Sequence, residues 1–155
     1  MKRLILSSLT VFMLISSPLY GKDKDSNILV DMFAWWNTAI KTENGFTREA
    51  FGRYFTDSGE INVNGHLAVK GIDNMAVHFS RIQADTDYVE IILPFEEGFE
   101  KGNRIFTYHI IKAREKGATE TSVSRVMGYA ITVDGKLDYI NFLDVPEAKE
   151  NGLTP

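Results

Sequence analysis

An α+β fold with its helices first and its sheet last is what this sequence predicts, on three observations. Apolar residues recur at helical spacing only between positions 28 and 82. From Asp87 onward the chain reads as long strands separated by short turns, and Asp134-Gly135 is a strong two-residue hairpin signal. Helices followed by consecutive hairpin strands is the order of an α+β domain, not of alternating βαβ units.

Asp25 or Ser26 can cap a first helix, in which Ile28, Leu29, Met32, Phe33, Trp36 and Ile40 form one wide apolar stripe, with Trp35 beside it. Asn44-Gly45 stops it near Thr42. Thr47 caps a short second helix with Phe51, Tyr54 and Phe55 inward. Asp57-Ser58-Gly59 reads as a turn into a strand over 60–64, and Gly65 allows a return along 67–70. After Gly71 a third helix covers about 72–83, burying Ile72, Met75, His78, Phe79 and Ile82. Strands are then expected over 88–97, 104–116, 119–133 and 136–145, with turns at 98–103, Gly117-Ala118 and Asp134-Gly135.

The first 21 residues stand apart. Lys2 and Arg3 precede an uncharged apolar run from Leu4 to Ser17, then Pro18 and Leu19-Tyr20-Gly21, the three-part pattern of a secretory signal peptide. The run is too short for an ordinary membrane span, so cleavage after Gly21 and a periplasmic or secreted product are expected, with an uncleaved anchor as the rival reading. Cleavage leaves residues 22–145 as one domain, a polar tail over 146–155, and no stable membrane anchor. Without Lys2 and Arg3, 15 basic side chains face 21 acidic ones, a net charge of −6. Such a balance gives no reason to expect nucleic acid. Zero cysteine rules out disulfides, thiol nucleophiles and thiolate metal sites. His66, His78 and His109 lie in different elements, so no metal is expected, and no motif calls for a cofactor.

Both parities of the 104–116 strand are apolar, with Phe106, Tyr108 and Ile110 on one face and Ile105, His109 and Ile111 on the other. A sheet with one wet face would alternate cleanly. Helices can cover one side, and a second copy of the chain is the economical cover for the outer one, so a homodimer is expected.

The run from Tyr54 to Gly65, followed by Lys70-Gly71-Ile72 opening a helix, resembles the nuclear-transport-factor-2-like (NTF2-like) superfamily, in its SnoaL-like and ketosteroid-isomerase-like branch. The resemblance extends over about Ser26 to Val145. It implies a cone: three N-terminal helices packed in a strongly curved mixed or antiparallel sheet, with a pocket between them. It also implies where an isomerase would keep its groups. The oxyanion-binding tyrosine falls at Trp36, the general-base aspartate at Asn62, and the protonated second acid at Met127 or Gly128. None of these is retained, and an amide, an indole and a thioether cannot shuttle the proton. The SnoaL-like cyclases place a base near the end of the last strand, where this chain has Asp144.

Two function classes follow. In the leading one the cone binds a small, largely apolar molecule through Trp36, Tyr54, Asn62, His78, Phe79, Arg125, Met127 and Tyr129. The last three enter because odd positions of the 119–133 strand are larger and more apolar than Ser122, Ser124, Gly128 and Thr132, which favours the odd set facing the helices. An inward Arg125 would need a partner such as Glu60 or an anionic ligand. The alternative is a cofactor-free lyase, isomerase or cyclase with Asp144 and His78 as an acid–base pair. A core histidine and a strand-end aspartate are the plainer roles for the same two residues.

Overall fold

The structure, a computed structural model, describes residues 26–147. The expected export segment, Asp25 as a cap and most of the polar tail therefore lie outside the described residues. The elements run α1 (Ile28–Ala39), α2 (Arg48–Phe51), β1 (Phe55–Val63), β2 (His66–Lys70), α3 (Ile72–Asp85), β3 (Thr86–Ile91), β4 (Glu97–Lys101), β5 (Arg104–Glu115), β6 (Ser122–Val133) and β7 (Lys136–Pro146).

Local chemistry sets the helix ends. Asn27 caps α1, its Oδ1 accepting from the Leu29 and Val30 N–H groups at 3.0 and 3.1 Å, while Ser26 instead donates to Asp31. At the other end the open carbonyls of Ile40 and Thr42 accept from Gln83 Nε2 at 2.8 and 2.9 Å, so α3 closes the end of α1. Asn37 locks α1 to the sheet by donating to Ile91 O at 2.7 Å and accepting from Ile91 N at 2.9 Å. Thr47 caps α2 through Ala50 N at 3.2 Å, as the sequence predicts.

The sheet has the order β2-β1-β7-β6-β5-β3, with β4 also paired to β5. All pairs are antiparallel except β1 with β7, which is parallel. The sheet is strongly curled, a mixed half-barrel around three helices, which is the cone the sequence implies. Leu29, Phe51, Phe55, Ile72, Met75, Leu137 and Ile140 are fully buried between the layers. Asn64-Gly65 and Asp134-Gly135 all have positive φ, the requirement of tight hairpin turns between twisted strands.

Two expectations are corrected. Asp57-Ser58-Gly59 is no turn but part of β1, which starts at Phe55. A Cβ at Gly59 would press on Phe55 Cδ1 at 3.0 Å and Leu137 O at 3.2 Å, so this glycine serves close strand approach. In β6 the expected facing is inverted: Val126, Gly128 and Ala130 are buried against the helices, and Arg125, Met127 and Tyr129 lie on the convex side. The concave side of a tightly curled sheet is crowded, and a Cβ at Gly128 would collide with Thr107 Oγ1 and approach Phe142 Cε1 at 3.1 Å. Small residues mark the inside here.

Candidate functional site

Between α1, α3 and the concave sheet lies a cavity of about 220 Å³. Met32, Phe33 and Trp36 project into it from α1, Ile61 and Val63 from β1, and Phe79 and Ile82 from α3. His78 is the one ionisable side chain in its wall. Burial, and then the nearby Arg81 charge, push the His78 imidazole below its ordinary value, so it is neutral at pH 7. Ala68 of β2 and His78 of α3 also face a second, outer hollow, so the cavity opens between these two elements. Larger hollows beside the β5–β6 turn and beside Phe95–Glu100 are lined by polar and apolar groups in similar measure.

The inner wall is aromatic. Phe79 contacts Trp36, Phe46 and Phe51 at ring-centroid distances of 5.9, 5.7 and 5.4 Å, and His78 at 5.1 Å. Behind Phe33 and Phe142 sits His109 of β5, with none of its surface exposed. The rings of Phe33, Phe95 and Phe142 surround it at 5.3, 5.2 and 5.7 Å. Its Nδ1 is 3.2 Å from Thr107 Oγ1, and its Nε2 has no partner. Desolvation pushes its pKa down to about 4, so His109 too is neutral at pH 7.

Of the residues expected to bind ligand, Trp36, His78 and Phe79 line the cavity and the others do not. Tyr54 stacks on Trp35 at 5.2 Å, under the Arg53 guanidinium. Asn62 is turned from the cavity and its amide donates to Glu60 at 3.3 Å; the inward neighbours Ile61 and Val63 are aliphatic, so β1 presents no titrating group. Arg125 on the convex face pairs with Glu147 at 2.9 Å and donates to Tyr108 Oη at 3.1 Å, not to Glu60. Met127 is exposed beside it, and Tyr129 accepts from Arg104 at 3.0 Å.

Asp144 and His78 are not brought together in the cavity. Asp144 sits on the row that runs His109, Val126, Asp144 across β5, β6 and β7, and its Oδ1 is buried without a partner. Neither His109 Nε2 at one end of that row nor Asp144 Oδ1 at the other has a hydrogen-bond partner. His109 was visible to sequence reasoning only as an apolar-face residue beside Ile105 and Ile111; its orphaned nitrogen depends on the Phe95 and Phe142 rings from distant segments. Among the described residues no group of three or more histidine or acidic side chains comes together as a metal site.

No family model and no curated protein matches the sequence. Solved structures do. The chain is similar to an NTF2-like protein of unknown function from Exiguobacterium sp. 255-15, with TM-score 0.61 and 17% identity over 79% of this chain and 100% of that one. A putative SnoaL-like polyketide cyclase from Jannaschia sp. CCS1 gives 0.62 at 11% identity, over 76% and 82% of the two chains. A Catenulispora acidiphila protein with a ketosteroid isomerase-like fold, solved with trimethylamine, gives 0.58 at 15%, over 72% and 83%. At these identities the likeness establishes the fold, and the fold is the NTF2-like cone.

Proposed function

We propose that this is an exported protein, periplasmic or secreted, that binds one small, largely apolar molecule in the cone cavity. The observation that carries the reading is the cavity itself: about 220 Å³, walled by aromatic and aliphatic side chains, with one neutral imidazole at its mouth. An apolar cavity of about 150 Å³ takes benzene, and drug-sized sites start near ~300 Å³. The fitting ligand is therefore a substituted monocycle or a chain of roughly six to ten carbons. The export reading rests on the charged, apolar and Gly21-terminated pattern of residues 1–21. The acid–base alternative needs Asp144 and His78 in one cavity, and only His78 lines it.

A second copy of the chain is proposed on the convex sheet face. Phe99, Met127, Leu143 and Val145 are 61, 59, 48 and 61% exposed there. Tyr108, Met127 and Leu143 form one cross-strand row, and Phe106 and Tyr129 continue the patch. A monomer rarely leaves such a contiguous apolar face open, and a two-fold axis through it would bury the same patch from each copy.

The binding reading is tested with the mature protein and 1-octanol as probe. The wild type is expected to gain thermal stability as the alcohol concentration rises, and Ala68→Trp, which fills the mouth from an exposed position, is expected to lose that response while keeping its own melting temperature. An unchanged melting temperature in the wild type up to the solubility limit of the alcohol overturns the reading.

A further inference from the structure

We propose that the mouth of the cavity selects a monoanion: an amphiphile whose ring or short chain lies inside and whose carboxylate is held by Arg81. The proposal rests on the cavity being a ligand site and adds the chemical class of the ligand. Outside the cavity the second hollow is lined by Leu67, Lys70, Val77 and Arg81, and it shares Ala68 and His78 with the cavity wall. Leu67 and Val77 are 57 and 52% exposed, an apolar collar that continues the cavity wall outward.

The charge at this collar is one-sided. Lys70 is already paired with Glu60 at 3.0 Å, which cancels the nearby carboxylate. Arg81 has no ion pair with any carboxylate among the described residues, although Asp85 follows it by one helical turn. His78 and Arg81 are three positions apart on α3, neighbours on one helix face, and the Arg81 charge is felt at the His78 ring. The guanidinium shares the hollow with the exposed aliphatics Leu67 and Val77, and no carboxylate side chain lines it. The combination of one fixed cation, one neutral hydrogen-bonding imidazole and an apolar well matches one carboxylate on an apolar body. One guanidinium balances the single charge of a carboxylate, whereas a phosphate dianion would keep one charge uncompensated here.

The test compares octanoate with 1-octanol, equal in chain length, by calorimetry at pH 7.5 and low salt. For the wild type octanoate is expected to bind about tenfold tighter, as a charge-assisted contact would give. Arg81→Gln is expected to bring octanoate down to the alcohol while leaving 1-octanol binding unchanged, with Arg81→Lys restoring part of the gap. Raising the salt to 1 M should narrow the wild-type preference. Binding of 1-octanol with no octanoate preference, or a preference that survives Arg81→Gln, overturns this inference and leaves the cavity reading standing. Binding of neither probe overturns both.

Discussion

Acid sensitivity gives the sharpest test of how the interior is built, because it turns on one group. His109 is enclosed by three phenyl rings and keeps one hydrogen-bonded nitrogen. The folded protein takes up the His109 proton only near pH 4, whereas an unfolded chain takes it up near pH 6.5. Between those values the unfolded state holds the extra proton, so falling pH favours unfolding. The stability is intact above pH 6.5, declines as pH falls toward 4, and then levels off with respect to this residue. The gap corresponds to about 3 kcal/mol, a large share of the 5–15 kcal/mol typical of a domain.

The assay is urea unfolding at pH 7, 5.5 and 4 for the wild type and His109→Gln, with His109→Phe as a second variant that keeps an aromatic in the cage. From pH 7 to 4 the wild type should lose about 3 kcal/mol more than either variant, whatever their offset at neutral pH. Carboxylate titration is common to all three proteins and cancels in the difference. Superimposable pH profiles, or a His109 ring proton resonance that titrates near 6.5 in the folded protein, would refute the reasoning.

Three further outcomes are expected. Gly128→Ala forces a methyl against Thr107 Oγ1 and Phe142 and should destabilise by about 1–3 kcal/mol, read as a lower urea midpoint with an unchanged slope. Asn37→Ala removes both hydrogen bonds to Ile91 and strands a buried backbone pair, which should cost about 2 kcal/mol and accelerate amide exchange at Ile91. Met127→Lys places a charge in the middle of the convex apolar row; light scattering should report a monomer for the variant and a dimer for the wild type, and equal masses for the two would exclude this face as the interface.

Legibility in the sequence followed the range of the physics involved. Thr47 and Asp134-Gly135 act within a few residues, and both were readable: the cap bonds its own helix, and the turn needs positive φ at its two central positions. The α1 stripe and the inward position of His78 were readable for the same reason, since helical spacing decides them. Gly59 was misread because its glycine serves the approach of Leu137, which is almost eighty positions away. Asn62 stands one position from the inward Ile61 and Val63, and in a strand one residue is the whole difference between inside and outside.

The facing of β6 shows what local pattern omits. In a flat sheet the larger apolar set belongs inside, and Met127 and Tyr129 would then line the pocket with Arg125 seeking a buried partner. Curling reverses the preference, because side chains converge on the concave side and diverge on the convex one. Gly128 is needed where Thr107 and Phe142 already fill the space, and Val126 is the small spacer between His109 and Asp144. The same curvature that admits only small residues from β6 leaves room for the helices' aromatic side chains, and the residual space between those and β1 is the cavity. Arg125, Met127 and Tyr129 consequently change role together: they leave the list of pocket residues and become part of the face proposed to meet a second copy. The cation left to greet a ligand is on α3, Arg81, where helical spacing from His78 rather than strand parity determines its position.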